Sequence, residues 1–302
     1  MNIGLKPLAW SAAALVLLLS VSTPLSAFTL FLIMTPLVVL FLTLKPAAFA
    51  VHAAVIGAAA FLLGGAYGPL SLTLMIFFLV PSIVMGVMYR KRSRARSVLL
   101  AGFLVILAQL LLELILFSLQ FRIDLSAELA SVIRASLSQL ETPGTLPEGW
   151  AADTADSLGN AIVTMLPMLL LLSSFLLAVV THALSRAAMA RSGAPLPGLP
   201  QAKTWRLPRS LVWYYLAALL LSYIVPQDGN GFWTVVSSNL IPILRFAFVV
   251  QAIGFFFFLA DAKRWPKAVP VLVSIPLILF SSPLYLIGLL DAAFPLRRYF
   301  AK

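Results

Sequence analysis

Cysteine is absent from the 302 residues, which excludes disulfides, thiolate metal sites and a cysteine nucleophile. Histidine is nearly as scarce, with two copies, His52 and His182, and carboxylates number ten against twenty-one Lys and Arg. A metal site would therefore have little to draw on. The HExxH, GxxxxGK[ST] and GxSxG patterns are also missing, so neither an enzyme nor a bound metal or cofactor is expected. Charged residues make up only 10% of the chain, whereas a soluble domain carries about 25%.

What the chain has in excess is apolar sequence: 62% hydrophobic residues and a mean hydropathy of +1.04. Helices of about 20 apolar residues satisfy their own backbone while crossing roughly 30 Å of hydrocarbon. The pattern predicts an all-α integral membrane protein, a single transmembrane domain of about nine helices (eight to ten). Spans are expected near residues 8–21, 25–44, 47–66, 70–89, 98–121, 161–184, 213–226, 235–260 and 268–294. Lys6, the first apolar run and the small residues near Ala27 also fit a cleavable signal peptide. A retained first span, joined tightly to the second, fits the following run better. In the third span Ala53, Gly57, Ala60 and Gly64 are spaced for close approach of a neighbouring helix.

The net charge of +11 follows from topology and predicts no nucleic-acid partner, because the basic residues sit in short connections between apolar runs. Arg90, Lys91, Arg92, Arg94 and Arg96 follow the fourth span. Arg186, Arg191, Lys203, Arg206 and Arg209 lie in a proline-rich loop over 185–210, and Lys263, Arg264 and Lys267 follow the eighth span. The positive-inside bias then puts the N-terminus and the 185–210 loop in the cytoplasm. Six of the ten acidic residues fall in an insertion over 122–159, which is expected outside. Within it Leu125, Leu129, Val132, Leu137 and Leu140 recur at helical spacing, with Asp124 or Ser126 as N-cap and an end near Thr142 and Pro143. The last run, 268–294, is expected to cross once as a kinked helix, leaving Arg297, Arg298 and Lys302 outside. Pro276, Pro283, Ser281 and Ser282 offer the alternative, a re-entrant element that returns the tail inward.

Ionisable and amide side chains inside spans are costly and so mark candidate sites. Gln109 and Glu113 share a face of the fifth span, and Asn239, Arg245 and Gln251 lie on the eighth. Glu113 and Arg245 stand at similar depth. They serve either as an ion pair fixing helix register or, with Gln109, Asn239 and Gln251, as a ligand-binding pocket. His52 and His182, near the inner ends of helices, are expected as packing residues.

Trp205-Arg206-Leu207-Pro208-Arg209, Val250-Gln251-Ala252-Ile253-Gly254, Gly288-Leu289-Leu290-Asp291 and Arg297-Arg298 occur in an order that resembles the YybS-like family of bacterial inner-membrane proteins. The N-terminal part, with Ala12, Ala13 and Ala14, the turn from Gly64 to Pro69, and Pro81 followed by Gly86, is similar to the S components of energy-coupling-factor transporters. More distantly it is similar to MreD-type envelope proteins. The resemblance implies the bacterial inner membrane and an S-component-like core that binds or transports a small polar solute, with the bilayer as surroundings. Val16 and Leu17, however, stand where an S component has further small residues for docking its coupling subunit. The alternative is a non-transporting scaffold or regulator of envelope or sporulation-type processes, with a membrane protein as partner.

Overall fold

The computed structural model describes residues 5–121, 124–139, 147, 149–225, 231–266, 268–279 and 281–300, and among these all regular structure is helical. In chain order the α-helices are α1 (Leu5–Leu19), α2 (Ser26–Thr29), α3 (Met34–Thr43), α4 (Pro46–Leu63), α5 (Gly68–Arg90), α6 (Ala95–Phe121) and α7 (Leu125–Leu137). They continue with α8 (Trp150–Thr164), α9 (Leu166–Arg191), α10 (Ser210–Ile224), α11 (Phe232–Ala262), α12 (Ala268–Leu279), α13 (Ser281–Ala293) and α14 (Leu296–Phe300). Among the described residues six segments are long and apolar enough to cross a membrane: Ser26–Thr43, Pro46–Leu63, Gly65–Arg90, Ala95–Leu116, Leu166–Arg191 and Phe232–Ala262. Lys6–Ser22 and Ser210–Ile224 are shorter apolar helices.

Contacts group the chain into two units, one of Met1–Gln120 with Leu170–Leu199, the other of Phe121–Leu169 with Pro200–Lys302. The first unit is built on α3, whose residues Met34 to Phe41 are all buried. Two small-residue contacts allow this. Gly86 on α5 leaves room for the Phe41 ring, and on α4 Ala53, Gly57 and Ala60 form a buried stripe, with Gly57 against Leu72 and Met75 of α5. Removing side chains lets helix backbones approach and gain dispersion contacts, the main packing force where lipid is as apolar as the core.

In the second unit, α7 and α8 pair as a hairpin. Asp124 caps α7 as expected, its Oδ1 accepting from Ser126 N and Ala127 N at 2.9 and 3.3 Å. Helix α7 ends at Leu137, about one turn before the expected end near Thr142 and Pro143; Leu140 and the short connection at 227–230 lie outside the described residues. Helix α8 was not expected, and it moves the start of the sixth span from about residue 161 to Leu166. Its packed face is Ala151, Ala155 and Gly159, and a Cβ on Gly159 would sit 2.8 Å from Ser126 O. The hairpin closes with Arg134 paired to Asp156 at 2.9 Å and Ser126 Oγ donating to Asn160.

The last apolar run is two helices and not one kinked span. Arg245 faces the Tyr285 ring, Gly288 abuts the Phe248 carbonyl, and Gln251 meets Asp291. Both series of numbers rise together, so α13 runs parallel to α11. Helix α12 therefore enters from the end where α11 finishes, and α13 returns to that end. At 12 and 13 residues each is roughly 18 to 20 Å long, too short to cross alone. The tail comes back beside residues 200–209, with Arg297 donating to Lys203 O. This places Arg297 and Arg298 with the basic loop, the arrangement the charge bias favours. In the cysteine-free chain, Tyr299→Cys should react with an impermeant maleimide from the same side as Pro200→Cys and from the side opposite to Ser157→Cys. Tyr299→Cys reacting together with Ser157→Cys would restore the single-span topology.

Candidate functional site

The polar residues of the second unit converge where segment 200–209 crosses α11. Gly254 makes the crossing possible, since a Cβ there would lie 3.1 Å from Ala202 O and 3.4 Å from the Trp205 side chain. With the segment held that close, Leu207 N donates to Gln251 Oε1 at 2.9 Å, and Gln251 Nε2 donates to Asp291 Oδ2 at 2.5 Å. Arg297 completes the circuit. Its Nε and Nη2 donate to Asp291, the closest approach being 2.8 Å, and its Nη1 donates to Lys203 O at 2.7 Å. The Asp291 and Arg297 side chains are only 1% and 4% exposed. A buried ion pair holds only when its remaining donors and acceptors are also satisfied, and here Gln251 and the Lys203 carbonyl supply the missing partners. At the rim, Lys203 Nζ pairs with Asp261 at 2.9 Å.

Above this floor lies a cleft of about 120 Å³ whose lining includes Arg206, Arg209, Arg297, Arg298, Gln251 and Asp291. Arg297 is neutralised by Asp291. Arg206, Arg209 and Arg298 are exposed, and among the described residues no carboxylate is paired with them.

The expected pocket residues are distributed otherwise. Gln109 donates through Nε2 to Phe77 O at 3.2 Å. Phe77 precedes Pro81 by four residues within α5, so its carbonyl has lost its helical N–H donor, and Gln109 supplies the replacement. Gln109→Leu should therefore destabilise by about 1–3 kcal/mol. Adding Pro81→Ala, which returns the missing N–H, should cost less than the sum of the two single changes in a detergent-unfolding cycle. Additive costs would refute the link. Asn239 performs the same kind of service at the break between α8 and α9, donating to Thr164 O and accepting from Met168 N, both at 2.7 Å. A second donation to Val235 O uses its remaining N–H.

Gln251, expected in a ligand-binding pocket with Gln109 and Asn239, joins the circuit facing the basic loop, roughly 28 Å along α11 from Phe232. Arg245 donates through Nε to Tyr215 OH at 3.1 Å and lies over the Tyr285 ring at 5.1 Å. Glu113 is exposed on α6 in the first unit. Three of the five expected residues are thus committed to backbone or to the ion-pair circuit.

Both histidines are held by hydroxyls within the first unit. Ser11 Oγ lies 2.8 Å from His52 Nδ1. Tyr89 OH lies 2.6 Å from the buried His182 Nδ1, with the two rings stacked 5.9 Å apart. Beside Tyr89, Arg90 donates to the carbonyls of Phe41 and Leu44 and so caps the end of α3. These contacts tie helices together within the first unit.

Asp291 and Arg297 were not singled out as site residues. Asp291 did carry a signal, as the one charged residue in the apolar run from Ala268 to Phe294.

A helical, multi-spanning membrane protein with a re-entrant hairpin and an arginine-lined cleft is thus the class that fold and site define. Residues 11–292 match the family DUF2232, described as a predicted membrane protein, and the chain belongs to that family. It is similar to "Uncharacterized protein YybS" of Bacillus subtilis (strain 168), with 22% identity over 227 residues, covering 71% of this chain and 72% of that protein. No solved structure matches.

Proposed function

We propose that the protein is a membrane-embedded binding scaffold, working by recognition and not catalysis, whose working face is the end of the second unit bearing residues 200–209. We place that face and the N-terminus on the cytoplasmic side of the bacterial inner membrane. The observation that supports this is the convergence of segment 203–207, Gln251, Asp291 and Arg297 in one buried circuit, which makes a rigid floor under exposed arginines. A loop needed only for orientation would gain nothing from a buried ion pair beneath it, whereas a recognition surface gains preorganisation. The test is a photo-reactive residue in cells. At Gln201 it should give a discrete protein adduct that is absent when the residue is moved to Phe232 at the far end of α11. Equal adducts at both positions, or none at Gln201, would remove the scaffold reading.

The second reading is a small polar solute bound through an S-component-like core. Arg245 favours it, because a guanidinium carries five N–H donors and the fold engages Nε with Tyr215. Thermal stabilisation by a metabolite that vanishes in Arg245→Ala would move the assignment to this reading.

A further inference from the structure

We propose that the cleft at this working face binds a phosphate mono- or diester, its oxyanion held among Arg206, Arg209 and Arg298. The inference rests on the scaffold reading in taking this face as the working one, and it adds the chemistry of what is bound. Its first support is the imbalance of charge. Arg134, Lys203 and Arg297 in the same unit each meet a carboxylate at 2.8 to 2.9 Å, while the three cleft arginines meet none among the described residues. Asp291, the cleft's acidic residue, cannot serve them. Its Oδ1 accepts from Arg297, and its Oδ2 accepts from Arg297 and Gln251.

Guanidiniums gathered in one small cleft repel one another unless an anion sits between them, and their planar forks match phosphate oxygens in bidentate pairs. Positive-inside orientation needs basic residues near the membrane end but does not need them to line a common cavity. Lys263 and Arg264 meet the orientation requirement without lining it.

Size and depth are the second support. The cleft of about 120 Å³ has room for a phosphoryl group, with the rest of the ester extending out of its open mouth. Trp213 and Tyr214, near the start of α10, are 71% and 57% exposed, and Tyr299 is 74% exposed. Aromatic side chains of this kind settle at headgroup level, where the phosphates of lipids lie. A lipid headgroup and a soluble phosphoester present the same oxyanion to the cleft.

The full-length protein, reconstituted in phosphatidylcholine nanodiscs, separates these sources. Phosphatidylglycerol doped into the discs and native mass spectrometry of retained lipid test the headgroup. Inorganic phosphate and glycerol phosphate, followed by calorimetry, test the soluble ester. Saturable binding of either probe should weaken at least tenfold in Arg206→Gln with Arg298→Gln, and remain unchanged in Arg94→Gln with Arg96→Gln, which lie outside the cleft. Should the first double variant fail to fold, Arg209→Gln alone is expected to weaken binding several-fold. Binding of neither probe, binding equal in the parent and the cleft variants, or an equal loss in the Arg94 and Arg96 variant would overturn the proposal. Failure here with a persistent adduct at Gln201 leaves the scaffold reading standing. Phosphate binding without an adduct removes the scaffold and keeps the site.

Discussion

Arg297→Ala is expected to destabilise the second unit by about 3–5 kcal/mol, the usual cost of leaving one partner of a buried ion pair uncompensated. Asp291 would keep the Gln251 donation but lose the counter-charge, in surroundings where its side chain is 1% exposed. The carbonyl of Lys203 would lose its donor at the same time, so segment 200–209 should loosen together with α14. Unfolding followed by detergent titration and tryptophan fluorescence would report the change, since Trp205 lies in the loosened segment. Asp291→Leu combined with Arg297→Met should recover much of the loss, because an apolar pair of similar volume removes both buried charges. If Arg297→Ala unfolds with the parent, the ion pair is solvated and the circuit is not the floor of the cleft.

Six of the nine expected spans were legible because length and hydropathy alone mark a candidate membrane helix. Asp124 was legible as a cap because capping is local. Helix α8 was not, although its amphipathic period is as strong as that of α7: its buried positions Ala151, Ala155 and Gly159 are all small, so no run of large apolar residues marks the packed face. The amides show where local reading ends. Gln109, Asn239 and Gln251 stood out correctly as polar residues in apolar surroundings, yet their partners are a carbonyl freed by Pro81, a helix break at residue 165 and a backbone N–H at Leu207. Each partner comes from another segment, and which segment faces which amide is tertiary information. The broken ninth span had its signals in two prolines, two serines and the terminal arginines. The choice between kink and return depended on the parallel packing of α13 against α11, and that packing is decided at a single glycine.

Gly288→Leu should accordingly detach α13, with a loss at least as large as that of Arg297→Ala. A Cβ at Gly288 would overlap the Phe248 carbonyl oxygen and lie 2.7 Å from its carbon and 2.8 Å from Ala252 N. These are backbone atoms of α11, which cannot move aside as a side-chain rotamer can. Even Gly288→Ala should destabilise by on the order of 3 kcal/mol, outweighing the roughly 1 kcal/mol that alanine gains over glycine as a helix former. The three glycines of this unit that bear on α11 give a graded test. Gly231→Ala, whose added Cβ meets only Thr234 Oγ1 at 3.8 Å, should be nearly neutral. Gly254→Ala, 3.1 Å from Ala202 O, should be intermediate, and Gly288→Ala the most damaging. Because α13 carries Asp291, displacing it also breaks the Gln251 and Arg297 contacts. The cost of Gly288→Leu combined with Arg297→Ala should therefore fall well short of the sum of the two. Strict additivity would mean that α13 keeps its place without the glycine contact and that the close backbone approach is not what seats the re-entrant hairpin.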